Sequence, residues 1–243
     1  MRRLAVMAAL ALYPGHCLAQ KSASTAEGLP VYPPSDAPIT VAEVFDHLEA
    51  FEKKMTSLTA NFSQSVKMEE SGGLQTISGT VEYQKPNRLR VEHVKPERQT
   101  VVCDGKSLWV WRRETNQVIE TSLEDWKKSE PLAEGLLDFG DYSALLKRYD
   151  VSIDTVSAAD RQGYRSISLL LRPKDGKEDF RLKLGLTTRD YFPADAELRA
   201  GQVRIQSHFD KIRLNPELAA GRFQFTPPAG SDIFTNFKPP RAR

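Results

Sequence analysis

The sequence predicts a mainly β protein with some α: an antiparallel sheet of about ten or eleven strands with its helices on one side. Three observations carry this. Residues 79–111, GTVEYQKPNRLRVEHVKPERQTVVCDGKSLWVW, read as successive strands, each closed by its own turn signal. Strands this closely spaced pair antiparallel, because a parallel pairing needs a long crossover. Residues 58–68 alternate cleanly, with Leu58, Ala60, Phe62, Val66 and Met68 on one parity and Thr59, Asn61, Ser63, Ser65 and Lys67 on the other. That pattern gives one apolar face and one wet face. Finally, helical and strand patterns do not alternate along the chain, which excludes a doubly wound sheet. A sheet this large must curl into a barrel or partial barrel, and amphipathic helices across its mouth would enclose an apolar cavity.

Residues 1–19 stand outside the fold. Arg2-Arg3 precedes the apolar run LAVMAALAL, too short to span a bilayer, and Ala19 offers a small residue before a cut. The stretch reads as a cleavable secretory signal peptide, and a periplasmic location is expected. His16 before Cys17 argues against lipidation there, and nothing around Arg2-Arg3 supports a twin-arginine signal. Loss of this segment removes two arginines and Cys17, leaving 32 basic against 32 acidic residues and Cys103 alone. A near-neutral chain has no electrostatic case for nucleic acid. A lone cysteine excludes an internal disulfide and a cysteine-based zinc site. Residues 20–38, with Pro30, Pro33, Pro34 and Pro38, read as a disordered or extended lead-in to a domain over 39–230.

Thr40-Val41-Ala42-Glu43 is a capping box. The helix it opens carries Val41, Val44, Phe45, Leu48, Phe51 and Met55 on one face, with Glu49, Glu52, Lys53 and Lys54 elsewhere. Its apolar face should lie on the sheet. Lys85-Pro86-Asn87 and Lys95-Pro96 end strands, because proline gives no ladder N–H, and Asp104-Gly105 marks a tight hairpin. Ser122 caps a second helix, and residues 126–149 give a broken apolar pattern interrupted by Gly135 and Gly140, suggesting a movable cover. Strands return at 151–156, 164–172, 180–186, 191–198 and 202–214, with a short closing strand at 222–225. Residues 231–243 read as a flexible tail.

His47, His93 and His208 show no metal-site spacing, and His93, between Glu92 and Val94, reads as a surface residue. No nucleophile elbow, phosphate-cradling loop or dinucleotide fingerprint occurs. The expectation is therefore no enzyme, no cofactor and no metal: a protein that holds something apolar in water.

Four segments in order resemble the periplasmic outer-membrane lipoprotein carrier family of the LolA type. They are Ala60-Asn61-Phe62-Ser63-Gln64; Gly79 with Tyr83 to Arg90; Val102 to Trp109; and Asn215 with Phe223-Gln224-Phe225-Thr226-Pro227-Pro228-Ala229-Gly230. The resemblance implies an incomplete, half-open barrel of about eleven strands with a helical lid over a hydrophobic cavity. It implies a chaperone that takes acylated lipoproteins from an inner-membrane releasing transporter to an outer-membrane receptor, as a monomer without a cofactor. The expected cavity lining is Phe62, Val66, Leu89, Val91, Trp109 and Trp111, and the expected lid residues are Val44, Leu48 and Leu136. Lys85 stands where well-known carriers have an arginine that ties barrel to lid, so it is the expected latch, without the flat multi-donor fork of arginine. Val91 stands where an aromatic residue is usual. Two rival roles share the architecture: a periplasmic lipid- or lipoprotein-sensing regulator of the RseB type, usually with a second domain, and a carrier of another lipid such as a glycolipid or a polyketide-type pigment.

Overall fold

The computed structural model describes residues 26–129, 142–174, 180–219 and 221–235. The alternating segments become strands β1 (Ala26–Glu27), β2 (Ser57–Met68), β3 (Leu74–Gln84), β4 (Arg88–Lys95), β5 (Gln99–Asp104), β6 (Ser107–Arg112) and β7 (Gln117–Ser122). They continue with β8 (Tyr149–Val156), β9 (Ser166–Pro173), β10 (Phe180–Thr187), β11 (Asp195–Ala200), β12 (Val203–Leu214) and β13 (Asp232–Thr235). The helices are α1 (Val41–Lys54), α2 (Leu123–Ser129) and α3 (Tyr142–Lys147). Hydrogen bonding runs β13-β7-β6-β5-β4-β3-β2-β12-β11-β10-β9-β8, so β13 and β8 are opposite edges and the sheet does not close. The expected half-open, mainly antiparallel architecture is therefore the one observed.

Register assigns the faces, because residues directly opposite each other share a side of the sheet. Leu58 faces Tyr83, Tyr83 faces Leu89, Leu89 faces Cys103 and Cys103 faces Leu108. On the other half Ile205 faces Leu198, Leu198 faces Leu182 and Leu182 faces Leu171. Both rows belong to one apolar cluster that also contains Val44, Leu48, Phe51 and Met55 of α1. These rows define the inner face of the sheet.

α1 is fixed at both ends. Thr40 Oγ1 accepts from the Glu43 N–H at 3.1 Å, as the capping box requires. At the other end Asn215, with φ 55°, accepts through Oδ1 from the Thr56 N–H at 2.7 Å and donates from Nδ2 to the Lys54 carbonyl at 3.0 Å. One amide side chain thus closes the helix and starts β2, which supplies donors and acceptors that a helix end would otherwise leave orphaned.

Three segments depart from the sequence reading. The lead-in is laid down rather than loose from residue 26 onward. β1 pairs in parallel with β12 at Ile212 and Arg213, beyond the last β11 partner of β12 at His208. The Tyr32 N–H then donates to the Arg189 carbonyl at 2.8 Å, and Arg165 Nη2 donates to the Ser35 and Ala37 carbonyls at 2.8 Å each. Second, residues 222–225 are not a strand. They cross the outer face, where Arg222 pairs with Glu82 and the Arg222 carbonyl accepts from Arg90 Nη1 at 3.3 Å. Third, the last strand is β13, inside the expected tail, paired in parallel with β7. Pro227 and Pro228 explain the delay, since neither has an N–H for a ladder.

Candidate functional site: the helix-covered face of the sheet

Phe62, Val66, Leu89 and Val91 lie on the inner face, in one cluster with α1. Val44 and Leu48, the α1 residues expected in the lid, are both 0% exposed within that cluster. Leu136 lies outside the described residues. The apolar side of α1 is thus buried in the same apolar cluster as the residues expected to line the cavity.

Trp109 and Trp111 are not part of that lining. Trp109 lies opposite Val102 and Trp111 opposite Thr100, one residue out of phase with Leu108 and Val110, so both point to the outer face. There they pack against Phe225 at centroid distances of 6.1 and 6.3 Å, and Arg113 stacks over Trp111 at 4.8 Å. The C-terminal segment buries this side, with Val102, Val118 and Phe223 at most 3% exposed. A signal for it exists in the sequence: β5 has consecutive apolar residues, the mark of a strand covered on both faces. Replacement Trp109→Ala should lower stability by about 2–3 kcal/mol, as loss of a large, half-buried aromatic does. It should leave the affinity for an acylated probe within about twofold, which thermal unfolding and a binding titration check together.

The helices are held over the inner face by a few polar contacts. Lys85 Nζ donates to the Glu52 carbonyl, in the last turn of α1, at 2.5 Å. The Glu52 carboxylate, 7% exposed, accepts from the Ser143 N–H at 2.7 Å and from Ser143 Oγ at 2.6 Å. α3 is thereby tied to α1 at its first turn, and a carboxylate at that end also meets the positive pole of the helix. Tyr142, buried with Glu52 and Tyr83 nearby, has its hydroxyl pKa pushed up, first by burial and then by those two groups. At the far end of α1, Tyr191 Oη donates to Glu43 Oε1 at 2.6 Å, and His47 stacks on Tyr191 at 4.0 Å with Tyr32 against its edge. One helix, about 21 Å long by its residue count, therefore bridges the β3–β4 turn and the β10–β11 connection. Sequence reasoning missed Glu52 as a tie. A single carboxylate on an amphipathic helix looks like part of a solvated face, and its partner lies far along the chain.

His93 is half-buried on the inner face, not at the surface. It lies opposite Gly79 and Gln99, with its ring 5.5 Å from Phe62. A register shift in β4 against β3 between Ser78 and Gly79 accompanies this placement. Burial pulls its pKa down to about 4, against an opposing push from Glu92. The unfolded chain, titrating near 6.5, binds the proton first. The stabilisation is thus complete above about pH 6.5 and is lost as the pH falls through the interval to about 4. The expected loss is about 1–3 kcal/mol. His93→Gln should flatten that part of a stability-against-pH curve.

A half-open cavity of about 480 Å³ lies near the β9–β10 end, lined in part by Leu29, Ile167, Leu186, Phe192 and Ile212. None of the expected lining residues borders it. Among the described residues no cluster of three or more His, Cys, Asp or Glu could hold a metal ion, and no helix is long and apolar enough to cross a membrane.

These features define a half-barrel protein whose apolar sheet face is closed by helices fastened at discrete polar points. The family model described as Outer membrane lipoprotein carrier protein LolA matches residues 53–226. An outer-membrane lipoprotein carrier protein of Dechloromonas aromatica is 34% identical over 193 residues, spanning 79% of this chain and 88% of its own. One from Xanthomonas axonopodis pv. citri is 33% identical over 189 residues, spanning 76% and 85%. Among solved structures, an uncharacterized conserved protein from Thermus thermophilus aligns with a TM-score of 0.53 at 14% identity, over 80% of this chain and 98% of that one, a likeness of fold. The chain belongs to the outer membrane lipoprotein carrier protein LolA family.

Proposed function

We propose that this chain is a periplasmic carrier that takes up the acyl chains of lipoproteins between its inner sheet face and its helical cover, and conveys them from the inner to the outer membrane. The observation that carries the reading is the fastening of α1 over the inner face through the Lys85 ammonium and the Glu52 carbonyl. Family membership and the names of the curated relatives support lipoprotein cargo. In this reading Phe62, Val66, Leu89 and Val91 receive acyl chains when α1 lifts, and Val44 and Leu48 occupy the same surface when it closes.

Energetics favour such a design. Each buried methylene gains about 0.8 kcal/mol, so a rigid open groove would hold a triacylated cargo too tightly to deliver it. A cover that buries its own apolar side on the same surface competes with cargo and lowers the net affinity. A transporter that loads the cargo and a receptor that accepts it complete the scheme. No chemical step on the cargo is required, so the role is that of a binding protein and not an enzyme.

Mass spectrometry of species that copurify with the mature protein tests the proposal. Acyl-modified polypeptides are the expected result. Free glycolipid or pigment without polypeptide would contradict it and favour a carrier of another lipid.

A further inference from the structure

We propose that Glu52 makes the cover a single cooperative unit: it is the positioning residue through which the Lys85 latch controls α3 as well as α1. This rests on the carrier reading for its functional meaning but not for its physical content. Lys85 grips α1 through the Glu52 backbone carbonyl, and the side chain of the same residue grips α3 through both the N–H and the hydroxyl of Ser143. The two grips therefore share one Cα. Lifting the last turn of α1 away from Lys85 moves the Glu52 carboxylate, and α3 must either follow or lose its tie.

Burial makes the second option costly. Glu52 is 7% exposed and Ser143 8% exposed, so separating them breaks two buried hydrogen bonds to a charged acceptor. Following is the cheaper response, and it opens both helices in one transition. A second contact reinforces it: Lys147, at the other end of α3, donates to Glu49 Oε1 of α1 at 3.0 Å. Glu49 precedes Glu52 by three residues, so both ties leave the same side of α1. Apolar contact adds to this, since Leu146 and Tyr142 of α3 share the cluster with Leu48 and Phe51 of α1. Opening is then all-or-none over the surface that α1 and α3 cover, which suits a ligand with several acyl chains.

Hydrogen exchange on the cargo-free full chain reads the coupling without any ligand. Lys85→Met removes the ammonium and touches only α1 directly. It should accelerate exchange of amides in residues 142–147 at least fivefold, together with those of the last turn of α1, while residues 167–171 and 182–186 stay unchanged. Ser143→Ala, which removes a hydroxyl bonded to the Glu52 carboxylate and leaves Lys85 in place, should accelerate the last turn of α1 in return. Unchanged exchange at 142–147 in Lys85→Met, or uniform acceleration everywhere, would overturn the proposal.

A binding cycle with a synthetic triacylated lipopeptide supplies the functional arm. Lys85→Met should tighten binding in the wild-type background, and by a factor at least about threefold different in the Ser143→Ala background, where the latch no longer reaches α3. Equal factors in the two backgrounds would mean that Lys85 acts without the Glu52–Ser143 tie and would overturn the coupling. Failure of the wild-type chain to prefer the acylated over the deacylated peptide would instead sink the carrier reading, and the exchange result would still decide the coupling.

Discussion

Lys85→Met should bind a triacylated lipopeptide about tenfold more tightly than the wild type and release it more slowly. The substitution keeps the apolar stem and deletes the ammonium that donates to the Glu52 carbonyl at 2.5 Å. A hydrogen bond from a charged, half-buried donor contributes about 1.5–3 kcal/mol, and its loss falls on the closed state alone. A shift of about 1.4 kcal/mol is a factor of ten in an equilibrium constant. In the proposed cycle cargo binds only the open form, so apparent affinity should rise by the same factor for as long as the closed form predominates. Lys85→Arg keeps the charge and offers a planar fork of donors, so it should restore weak binding or weaken it further. Isothermal titration with the lipopeptide and a competition-release assay check both variants. Weaker binding by Lys85→Met would show that the ammonium contacts cargo instead of fastening the cover.

Gly79→Ala should cost about 3 kcal/mol of stability, because the position has no room for a methyl group. An ideal Cβ there would sit 2.0 Å from the Glu92 carbonyl oxygen and 2.9 Å from Phe62 Cε1. The first is backbone in the neighbouring strand, so relief requires β3 and β4 to separate at the register shift where His93 is seated. The second is one of the proposed acyl-contacting rings, so the damage spreads to the inner face. A chain of this size should lose roughly 6–12 °C in Tm. A loss of under about 2 °C would show that the strand pair yields more easily than its geometry implies.

The sheet was legible because period-two alternation survives wherever one face is apolar and the other wet. Leu58, Ala60, Phe62 and Val66 announce their common side, and the turns at Pro86, Pro96 and Gly105 separate the following strands. The pairing register then places Leu89 and Val91 beside them. Alternation fails for Trp109 and Trp111, because β6 is apolar on both parities and only a partner can decide which side is which. That partner is Phe225, more than a hundred residues later, held in place by the Arg222–Glu82 pair and by Asn116, which accepts from Ser231 Oγ at 3.0 Å. The same distance in sequence hides the Glu52–Ser143 tie. Capping is local and was readable at Thr40; the closing of α1 by Asn215 is not local and was visible only as a family-like asparagine. β1 and β13 were unreadable for another reason. Each pairs in parallel for only a few residues, and strands that short carry no periodicity of their own.

In the proposed cycle the inner face, once uncovered, receives acyl chains. The most direct measurement is a binding titration of the delipidated mature chain with one lipoprotein in its triacylated and its deacylated forms. Saturable binding of the acylated form is expected, with at least about a hundredfold weaker binding of the other, since deacylation removes tens of methylenes, each contributing about 0.8 kcal/mol when buried. Equal affinity for the two forms would contradict it.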